Sequence, residues 1–217
     1  MYAKPAVLFV YFSFTGQTRR VADAMTRTFE EHGWDVVHAP LQLTDSRYPL
    51  PFPWPRPLAY LLGWIPPQVL RRKCLFSLSA DIFERPFDLV CVGSPTWWLQ
   101  PAIPVTSLLR SESGLRLLYG RPFCVFAVAR SFWRLNSWRV AALGKRCGGR
   151  HVGSRGFVFP GNQLQSFAAL AGYLATGESP TRFWGMRVHP YGLTAAAVEA
   201  ARAFASDLAE GSQDRPR

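Results

Sequence analysis

A run of seven apolar residues near the start of the chain limits the fold more than any other feature. This run, Ala6–Phe12, is continuous rather than alternating, so it predicts a strand that is covered on both faces. A short polar turn follows, and Thr18–His32 then repeats apolar residues at the spacing of one helix face, at Val21, Met25 and Phe29. Gly33 supplies a stop signal. The sequence therefore predicts a buried strand, a tight turn and an amphipathic helix in succession.

The same alternation continues along the chain. Four further runs favour β structure: Trp34–Ala39, Phe87–Val92, Pro122–Ala129 and Arg150–Phe159. Helical stretches lie between or after them, at Pro101–Arg110, Leu135–Cys147 and Thr194–Leu208. Strands that alternate with helices imply right-handed crossovers between parallel strands. We therefore predict the α/β class, with a doubly wound, five-stranded parallel sheet that has helices on both faces.

Length and composition fit one domain. The chain has 217 residues, of which 48% are hydrophobic and 18% charged, which argues against a disordered or coiled-coil chain. We predict a single domain over residues 1–210 and a disordered tail over 211–217. Two segments rich in aromatic residues or proline, at about 44–80 and 161–192, interrupt the alternation as insertions. The four cysteines have no metal-ligand spacing, so we expect reduced core cysteines and no metal site.

The polar turn after the first strand is a candidate phosphate site. Its residues are Ser13, Phe14, Thr15, Gly16, Gln17 and Thr18. In a parallel sheet such a turn leads into a helix N-terminus, where free N–H groups and the helix dipole favour an anion. The turn contains no lysine, so it lacks the Gly-Lys-Ser/Thr of a P-loop. This pattern favours a loop that holds a phosphate monoester without cleaving it, and an ordinary helix-capping turn is the alternative.

A second candidate loop follows the third predicted strand. It comprises Gly93, Ser94, Pro95, Thr96, Trp97 and Trp98. In open α/β sheets, ligands bind beyond the carboxyl ends of the strands that flank the switch point. A tryptophan ring can stack on a planar heterocycle. We therefore expect one tryptophan to cover a flat ring while the other packs beneath it, and two core tryptophans are the alternative.

Together, these two loops resemble those of the flavodoxin-like FMN proteins. The stretch Phe9–Ala22 is similar to the phosphate loop of that family, and Gly93–Trp98 is similar to the ring-binding loop of its quinone-reductase branch. The resemblance implies a sheet order of 2-1-3-4-5 and one FMN, with the phosphate on the first loop and the isoalloxazine ring on the second. It also implies a third loop after the fourth strand, formed by Ala129, Arg130, Ser131 and Phe132.

The activity that this resemblance implies is that of an FMN-dependent oxidoreductase. Such an enzyme passes hydride or electrons from NAD(P)H or another donor to a quinone-like or aromatic acceptor. Arg130 is the candidate catalytic residue, as a positive group near the ring or the acceptor, and an ordinary surface charge is the alternative. A weaker resemblance, in Phe12–Arg19 and Val128–Arg130, is to the menaquinone-dependent protoporphyrinogen oxidase type. A non-catalytic electron carrier, an FMN-free scaffold and a membrane-surface enzyme of that type are the alternatives.

The charge of the chain is unusual. Its formal net charge is +11, and the stretch 113–177 contains nine basic residues and no acidic one. Such a field attracts anionic partners, which leaves open the phosphates of NAD(P)H, an anionic substrate and an anionic membrane surface. It argues against a simple shuttle, because electron-carrying flavodoxins are typically acidic. Nucleic acid is not expected, because no recognition motif accompanies the charge.

No apolar run reaches the length of a membrane span and no signal peptide is recognised, so we expect a cytoplasmic protein. The segment Pro49–Pro67 alternates prolines with aromatic residues and leads into Arg71, Arg72 and Lys73. With or without Leu164–Ala175, it is a candidate lid over the flavin or a foot on the inner face of the membrane, and a cover for one sheet edge is the alternative. A homodimer also stays open.

Overall fold

Strands and helices alternate along the chain, as the sequence predicts. The computed structural model describes residues 4–46, 62–63, 65–179, 181–183 and 185–213. Its strands are β1 (Ala6–Tyr11), β2 (Asp35–Pro40), β3 (Gln42–Leu43), β4 (Phe76–Ser77), β5 (Leu89–Trp97), β6 (Gln100–Pro101), β7 (Pro122–Ala129), β8 (Arg150–Val158), β9 (Arg182–Phe183) and β10 (Met186–Arg187). Its α-helices are α1 (Gln17–Glu31), α2 (Ile65–Val69), α3 (Ile103–Leu108), α4 (Glu112–Leu118), α5 (Trp133–Arg146), α6 (Gln163–Thr176) and α7 (Ala195–Gln213).

Five parallel strands form the central sheet in the order β2-β1-β5-β7-β8. The predicted order 2-1-3-4-5 and the predicted α/β class are therefore confirmed. The order reverses between β1 and β5, which lie side by side although α1, β2 and the whole first insertion separate them in sequence. The carboxyl ends of β1 and β5 therefore frame the switch point, where open α/β sheets bind their ligands.

Each face of the sheet has its own apolar core. On one face, Val7 and Phe9 of β1 pack with α1 and α7. On the other face, Leu8 and Val10 pack with α3, α4 and α5. Because both faces are buried, β1 has no polar side, which explains its continuous apolar sequence. The four cysteines are buried and free, as predicted.

Two elements extend beyond their predicted ends. β5 continues past Val92 to Trp97, because its last two residues pair with β6 in an antiparallel hairpin. The last helix, α7, reaches Gln213, so the predicted tail is helical up to that residue. Residues 214–217 lie outside the described part of the chain.

The two insertions differ in how much of them the structure describes. Most of Pro49–Pro67 lies outside the described residues, so its assignment as a lid, a membrane foot or an edge cover stays a prediction. The second insertion contains α6, which begins with a capping box between Asn162 and Gln165 and ends at Gly177 with a φ of 77°. No helix within the described residues is both long enough and apolar enough to cross a membrane.

Candidate functional site

A cleft opens at the carboxyl ends of β1, β5 and β7, with α6 on its outer side. It encloses a volume of about 80 Å³ and is open to solvent at its mouth. Its walls come from four separate parts of the chain: Phe14, Thr15, Gln17, Thr18; Pro95, Thr96, Trp97, Trp98; Val128, Ala129, Arg130; and Phe159, Phe167, Leu170, Leu174, Tyr191. Residues of all three predicted loops therefore meet at one place.

The first loop leaves backbone N–H groups free at the N-terminus of α1. Gly16 has a φ of 79°, and its carbonyl accepts the first hydrogen bond of the helix, from Arg20 N at 2.9 Å. Ser13 Oγ accepts from Arg19 N at 3.0 Å. No described residue accepts from the N–H groups of Gln17 and Thr18, which helix geometry also leaves without partners. These two groups and the helix dipole make the loop a site for an anion.

The space outside Gly16 is open. A side chain built on this glycine meets no atom within 4 Å. The positive φ is a conformation that other residues adopt only with strain, so glycine is required by the backbone and not by crowding. The backbone of the loop can therefore be approached closely at Gly16.

The second loop is a strained β-hairpin. Thr96 pairs with Pro101 and Trp97 with Gln100, so Trp98 and Leu99 form a two-residue turn. Both turn residues have positive φ, 45° and 63°, as a type I′ turn requires. Such turns favour asparagine and glycine, and a bulky residue there costs about 1–3 kcal/mol. Strain of this kind is concentrated at ligand sites, and here it holds Trp98 at the wall of the cleft.

The two tryptophans of this hairpin have different surroundings. Trp97 packs edge-on against Phe12 and Phe14, with ring centroids 5.4 and 5.7 Å away. Trp98 stands at the turn itself and lines the cleft. Both rings line the cleft, so the expectation that one tryptophan covers a ligand while the other packs beneath it stays a prediction.

Side-chain hydrogen bonds hold the hairpin to its neighbours. Ser94 is fully buried, and its Oγ accepts from Ala102 N at 3.2 Å. Asn136 of α5 is also fully buried and donates from Nδ2 to Thr96 Oγ1 at 2.7 Å. The position of the cleft wall is therefore fixed from both β6 and α5, which pre-organises it for a ligand.

Arg130 brings a positive charge to the cleft. Its guanidinium lies over the ring of Phe167, 5.0 Å from the centroid, and forms an ion pair with no described carboxylate. Burial lowers the pKa of Arg130, and the neighbouring Tyr191 opposes that shift. A partly buried cation that has an aromatic ring but no anion beside it favours a ligand with negative charge.

The second insertion holds the first loop in place. Tyr191 Oη lies 2.6 Å from Thr15 Oγ1, and Gln17 Oε1 accepts from Leu193 N at 2.9 Å. Arg20 Nη1 donates to Leu193 O at 2.9 Å. Burial raises the pKa of Tyr191, so its hydroxyl keeps its proton at neutral pH. The side chains of the loop are therefore oriented by a segment that lies more than 170 residues further along the chain.

Solved structures match this architecture. No protein-family model matches the sequence, and the search of curated proteins found no match. The crystal structure of a flavoprotein in complex with FMN from Lactobacillus acidophilus matches with a TM-score of 0.54 and 17% identity, over 71% of this chain and 93% of that one. A WrbA-like flavodoxin from Agrobacterium tumefaciens matches with a TM-score of 0.55 and 15% identity, over 98% and 100% of the two chains. A flavodoxin from the domain Archaea matches with a TM-score of 0.54 and 12% identity, over 96% and 99%.

The fold is flavodoxin-like. At these identities the likeness establishes the fold, so the ligand and the reaction have to be argued from the residues of the cleft. Within the described residues, no group of three or more histidine, cysteine, aspartate or glutamate side chains is arranged to hold a metal ion.

Most of the predicted site residues lie in or beside the cleft of this flavodoxin-like domain. Five do not line it, and one of these, Gly16, contributes its backbone at the start of α1. Ser13 and Ser94 support the backbone through the hydrogen bonds described above, and Ser131 lies beyond the wall. Phe132 has a φ of 57° at the start of α5 and is 58% exposed. It points into solvent because the chain leaves the cleft at this turn.

Sequence reasoning missed the outer wall of the cleft. It consists of Phe159, Phe167, Leu170, Leu174 and Tyr191. These residues belong to, or adjoin, the second insertion, and their apolar spacing reads as an ordinary buried helix face. The prediction that an insertion covers the site was attached mainly to the first insertion, with Leu164–Ala175 as an optional addition. In the described structure it is α6 that borders the cleft.

Proposed function

We propose that the chain is an FMN-dependent oxidoreductase, which passes hydride or electrons from NAD(P)H or another donor to a quinone-like or aromatic acceptor. The observation that carries the proposal is the single cleft shared by a free helix N-terminus, a strained tryptophan turn and an unpaired arginine. The flavodoxin-like fold supports it, since a matched structure from Lactobacillus acidophilus is a complex with FMN.

The first loop fits the phosphate of FMN. The N–H groups of Gln17 and Thr18 have no described acceptor, and the space outside Gly16 is open. A hydroxyl has one donor and two acceptor sites, so Thr15 can accept from Tyr191 and still donate to a phosphate oxygen. The contacts with the second insertion therefore orient the loop and leave hydrogen-bond donors available for a phosphate.

The second and third loops fit a flat ring that gains negative charge. Trp98 offers an aromatic face, and Arg130 offers a cation on the same cleft. When bound, FMN supplies the hydride and electron chemistry, and the protein supplies orientation and electrostatics. The role proposed for Arg130 is to stabilise negative charge on the ring or on the acceptor, and its partial burial strengthens that interaction.

The outer wall fits an apolar acceptor. Phe167, Leu170 and Leu174 of α6 present aromatic and aliphatic surface to the cleft, and Arg130 is the cationic residue among its described lining. A quinone-like ring matches this mixture, because it is flat and apolar in its neutral state and anionic once reduced. The wall also excludes water from the ring, which strengthens electrostatic interactions within the cleft.

Titration with flavins tests the cofactor. The purified chain is freed of bound flavin, and the quenching of flavin fluorescence is followed with FMN and with riboflavin, which lacks the phosphate. We expect FMN to bind at least about tenfold more tightly than riboflavin, because the free N–H groups of the loop act only on the phosphate. Equal affinity for the two flavins, or no binding, would refute the proposed site.

Steady-state turnover separates an enzyme from a carrier. With FMN bound, anaerobic oxidation of NADH or NADPH is measured with a benzoquinone or naphthoquinone as acceptor. Catalytic turnover supports the oxidoreductase. A protein that binds FMN and is reduced by dithionite, but that shows no turnover with either nucleotide, would instead be a flavodoxin-type electron carrier.

A further inference from the structure

A second cleft begins on the returning strand of the β5–β6 hairpin. Gln100 and Pro101 of β6 line it, whereas the flavin cleft is lined by residues of β5. Its other walls come from the end of α2, from α3 and from α5. It encloses about 280 Å³, which is close to the lower end of the range for small-molecule sites. The proposed flavin function makes no use of this cleft.

Four arginines line the second cleft: Arg71, Arg110, Arg139 and Arg146. Its described lining contains no acidic residue. None of the four pairs with a described carboxylate. Arg110 Nη1 donates to the backbone carbonyl of Arg71 at 3.2 Å, which draws these two residues together. Burial lowers the pKa of Arg139, and the positive charge of Arg71 lowers it further. An anion among these groups would relieve their mutual repulsion.

Two buried polar atoms at the same place have no described partner: Nη1 of Arg139 and Oε1 of Gln68. Gln68 is only 3% exposed, and its Nε2 donates to Pro101 O at 2.7 Å. This bond fixes the orientation of the amide, so that Oε1 remains an acceptor. A buried polar atom without a partner costs about 1–3 kcal/mol. A ligand with an anionic group for Arg139 and a hydroxyl or amino donor for Gln68 would satisfy both atoms.

An exposed tryptophan completes the cleft. Trp138 of α5 is 66% exposed and lines the same space as the arginines. Trp138 and Arg146 are eight residues apart on α5, so they lie on one side of the helix, two turns from each other. An exposed indole offers a planar face for a heterocyclic base, and arginine forks are suited to phosphate groups.

We propose that this second cleft binds a nucleotide-type ligand, with two or more phosphate groups on the arginines and a planar base against Trp138. Several convergent cations favour more than one phosphate. The small volume of the cleft favours a small ligand over a continuous nucleic-acid strand, which needs an extended groove. A lipid headgroup shares the phosphate chemistry but has no base for the indole. The site is separate from the flavin cleft, so it stands whether or not FMN binds there.

Calorimetric titration of the full-length chain tests the proposal. The probes are ADP, adenosine and inorganic pyrophosphate, each at one low salt concentration because phosphate contacts are screened by salt. We expect ADP to bind at least about tenfold more tightly than adenosine. Pyrophosphate is expected to bind and to compete with ADP. The same titrations on Gly16→Asp, which alters only the flavin cleft, are expected to give unchanged affinities.

Three variants assign the binding to this cleft. Arg146→Gln is expected to weaken ADP and pyrophosphate roughly five- to tenfold. Trp138→Ala is expected to weaken ADP and to leave pyrophosphate within about twofold, because only ADP has a base. Arg155→Gln is the matched control: Arg155 is exposed on β8 outside the cleft, and its loss changes the net charge by the same amount as the loss of Arg146.

Several outcomes overturn the proposal. One is an ADP affinity no greater than that of adenosine. Another is an equal loss in Arg146→Gln and Arg155→Gln, which would mean general charge attraction. A third is tight binding of a single-stranded oligonucleotide or of anionic phospholipid vesicles by a chain that does not bind ADP. Loss of ADP binding in Gly16→Asp would place the nucleotide in the flavin cleft and would equally contradict the second site.

Discussion

The hydroxyl of Tyr191 lies 2.6 Å from that of Thr15, across 176 residues of sequence. Tyr191 is stacked on Tyr173 of α6, with ring centroids 4.6 Å apart. The loop at the start of α1 is therefore linked through one hydroxyl pair to the helix that forms the outer wall of the cleft. This link makes the second insertion part of the proposed flavin site, because it orients a side chain of the loop that is proposed to hold the phosphate.

Removing this hydroxyl should weaken FMN without unfolding the protein. In Tyr191→Phe the ring and its stacking remain, but Thr15 Oγ1 loses the hydroxyl that orients it in the loop. One net hydrogen bond is worth about 1 kcal/mol, so we expect the affinity for FMN to fall about fivefold. Riboflavin affinity should stay unchanged, and fluorescence titration with both flavins measures the difference. An equal loss for both flavins would show that Tyr191 supports only the ring pocket.

A negative charge at Gly16 should weaken FMN binding more than the backbone strain of a non-glycine residue there. Gly16→Asp and Gly16→Asn place side chains of the same shape at a φ of 79°, which asparagine and aspartate tolerate better than most residues. Aspartate adds a negative charge beside the free N–H groups of Gln17 and Thr18. We expect Gly16→Asp to bind FMN at least about tenfold more weakly than Gly16→Asn, because like charges repel across a short distance. Titrations at two salt concentrations check that charge repulsion is the cause, since higher salt should reduce the difference in FMN affinity between the two variants.

The parts of the site that could be predicted from sequence are those encoded locally. The apolar run of β1 and the helical spacing of Val21, Met25 and Phe29 place the first loop at a strand-to-helix junction. That junction has one geometry in a parallel sheet, so the free N–H groups follow from it. The sheet order required the resemblance carried by both loops, because strand spacing alone does not decide which strands are neighbours.

The parts that could not be predicted depend on distant contacts or on broken local rules. Tyr191 meets Thr15 only after the whole sheet has formed. The turn at Trp98 and Leu99 has neither the asparagine nor the glycine that identifies a type I′ hairpin, so the sequence predicts a loop there. The extension of β5 beyond Val92 was also not predicted, because it contains Pro95 and proline is uncommon inside strands.

The strained turn gives a stability prediction that needs no cofactor. Leu99 is 49% exposed and has a φ of 63°, so Leu99→Gly removes strain and little packing. We expect the free energy of unfolding to rise by about 0.5–1 kcal/mol. In a chain of this size, each kcal/mol raises Tm by roughly 2–4 °C. Leu115→Gly is the control, since Leu115 is 48% exposed within α4. There the same substitution should lower stability by about 1 kcal/mol. A fall in Tm for both variants would mean that the turn is not strained.

The charge of Arg130 should set the potential of the bound flavin. Arg130→Gln removes the cation but retains a polar side chain, whereas Arg130→Lys retains the charge. A unit charge about 6 Å away contributes roughly 2.8 kcal/mol at an effective dielectric constant near 20, or about 60 mV for a two-electron couple. We expect the midpoint potential to fall by about that amount in Arg130→Gln and by less than half of it in Arg130→Lys. Potentiometric titration of the FMN-loaded variants measures this, and equal potentials in all three proteins would remove Arg130 from the proposed mechanism.

His38 should make the fold sensitive to acid. Its Nε2 lies 2.8 Å from Thr26 Oγ1, whose own proton goes to Ala22 O, so the imidazole donates there. Burial is the main cause that lowers the pKa of His38 below its ordinary value of 6.5. As pH falls below 6.5, His38 takes up a proton in the unfolded chain but stays neutral in the folded chain until the lower folded pKa is reached. The free energy of unfolding is therefore highest above pH 6.5 and decreases as pH falls toward the folded pKa. We expect Tm to drop less between pH 7.5 and 5.5 in His38→Gln than in the parent chain. The control is His189→Gln, at an exposed position, which should show the same fall in Tm as the parent chain. If the fall in Tm of His38→Gln also equals that of the parent, His38 does not cause the sensitivity to acid.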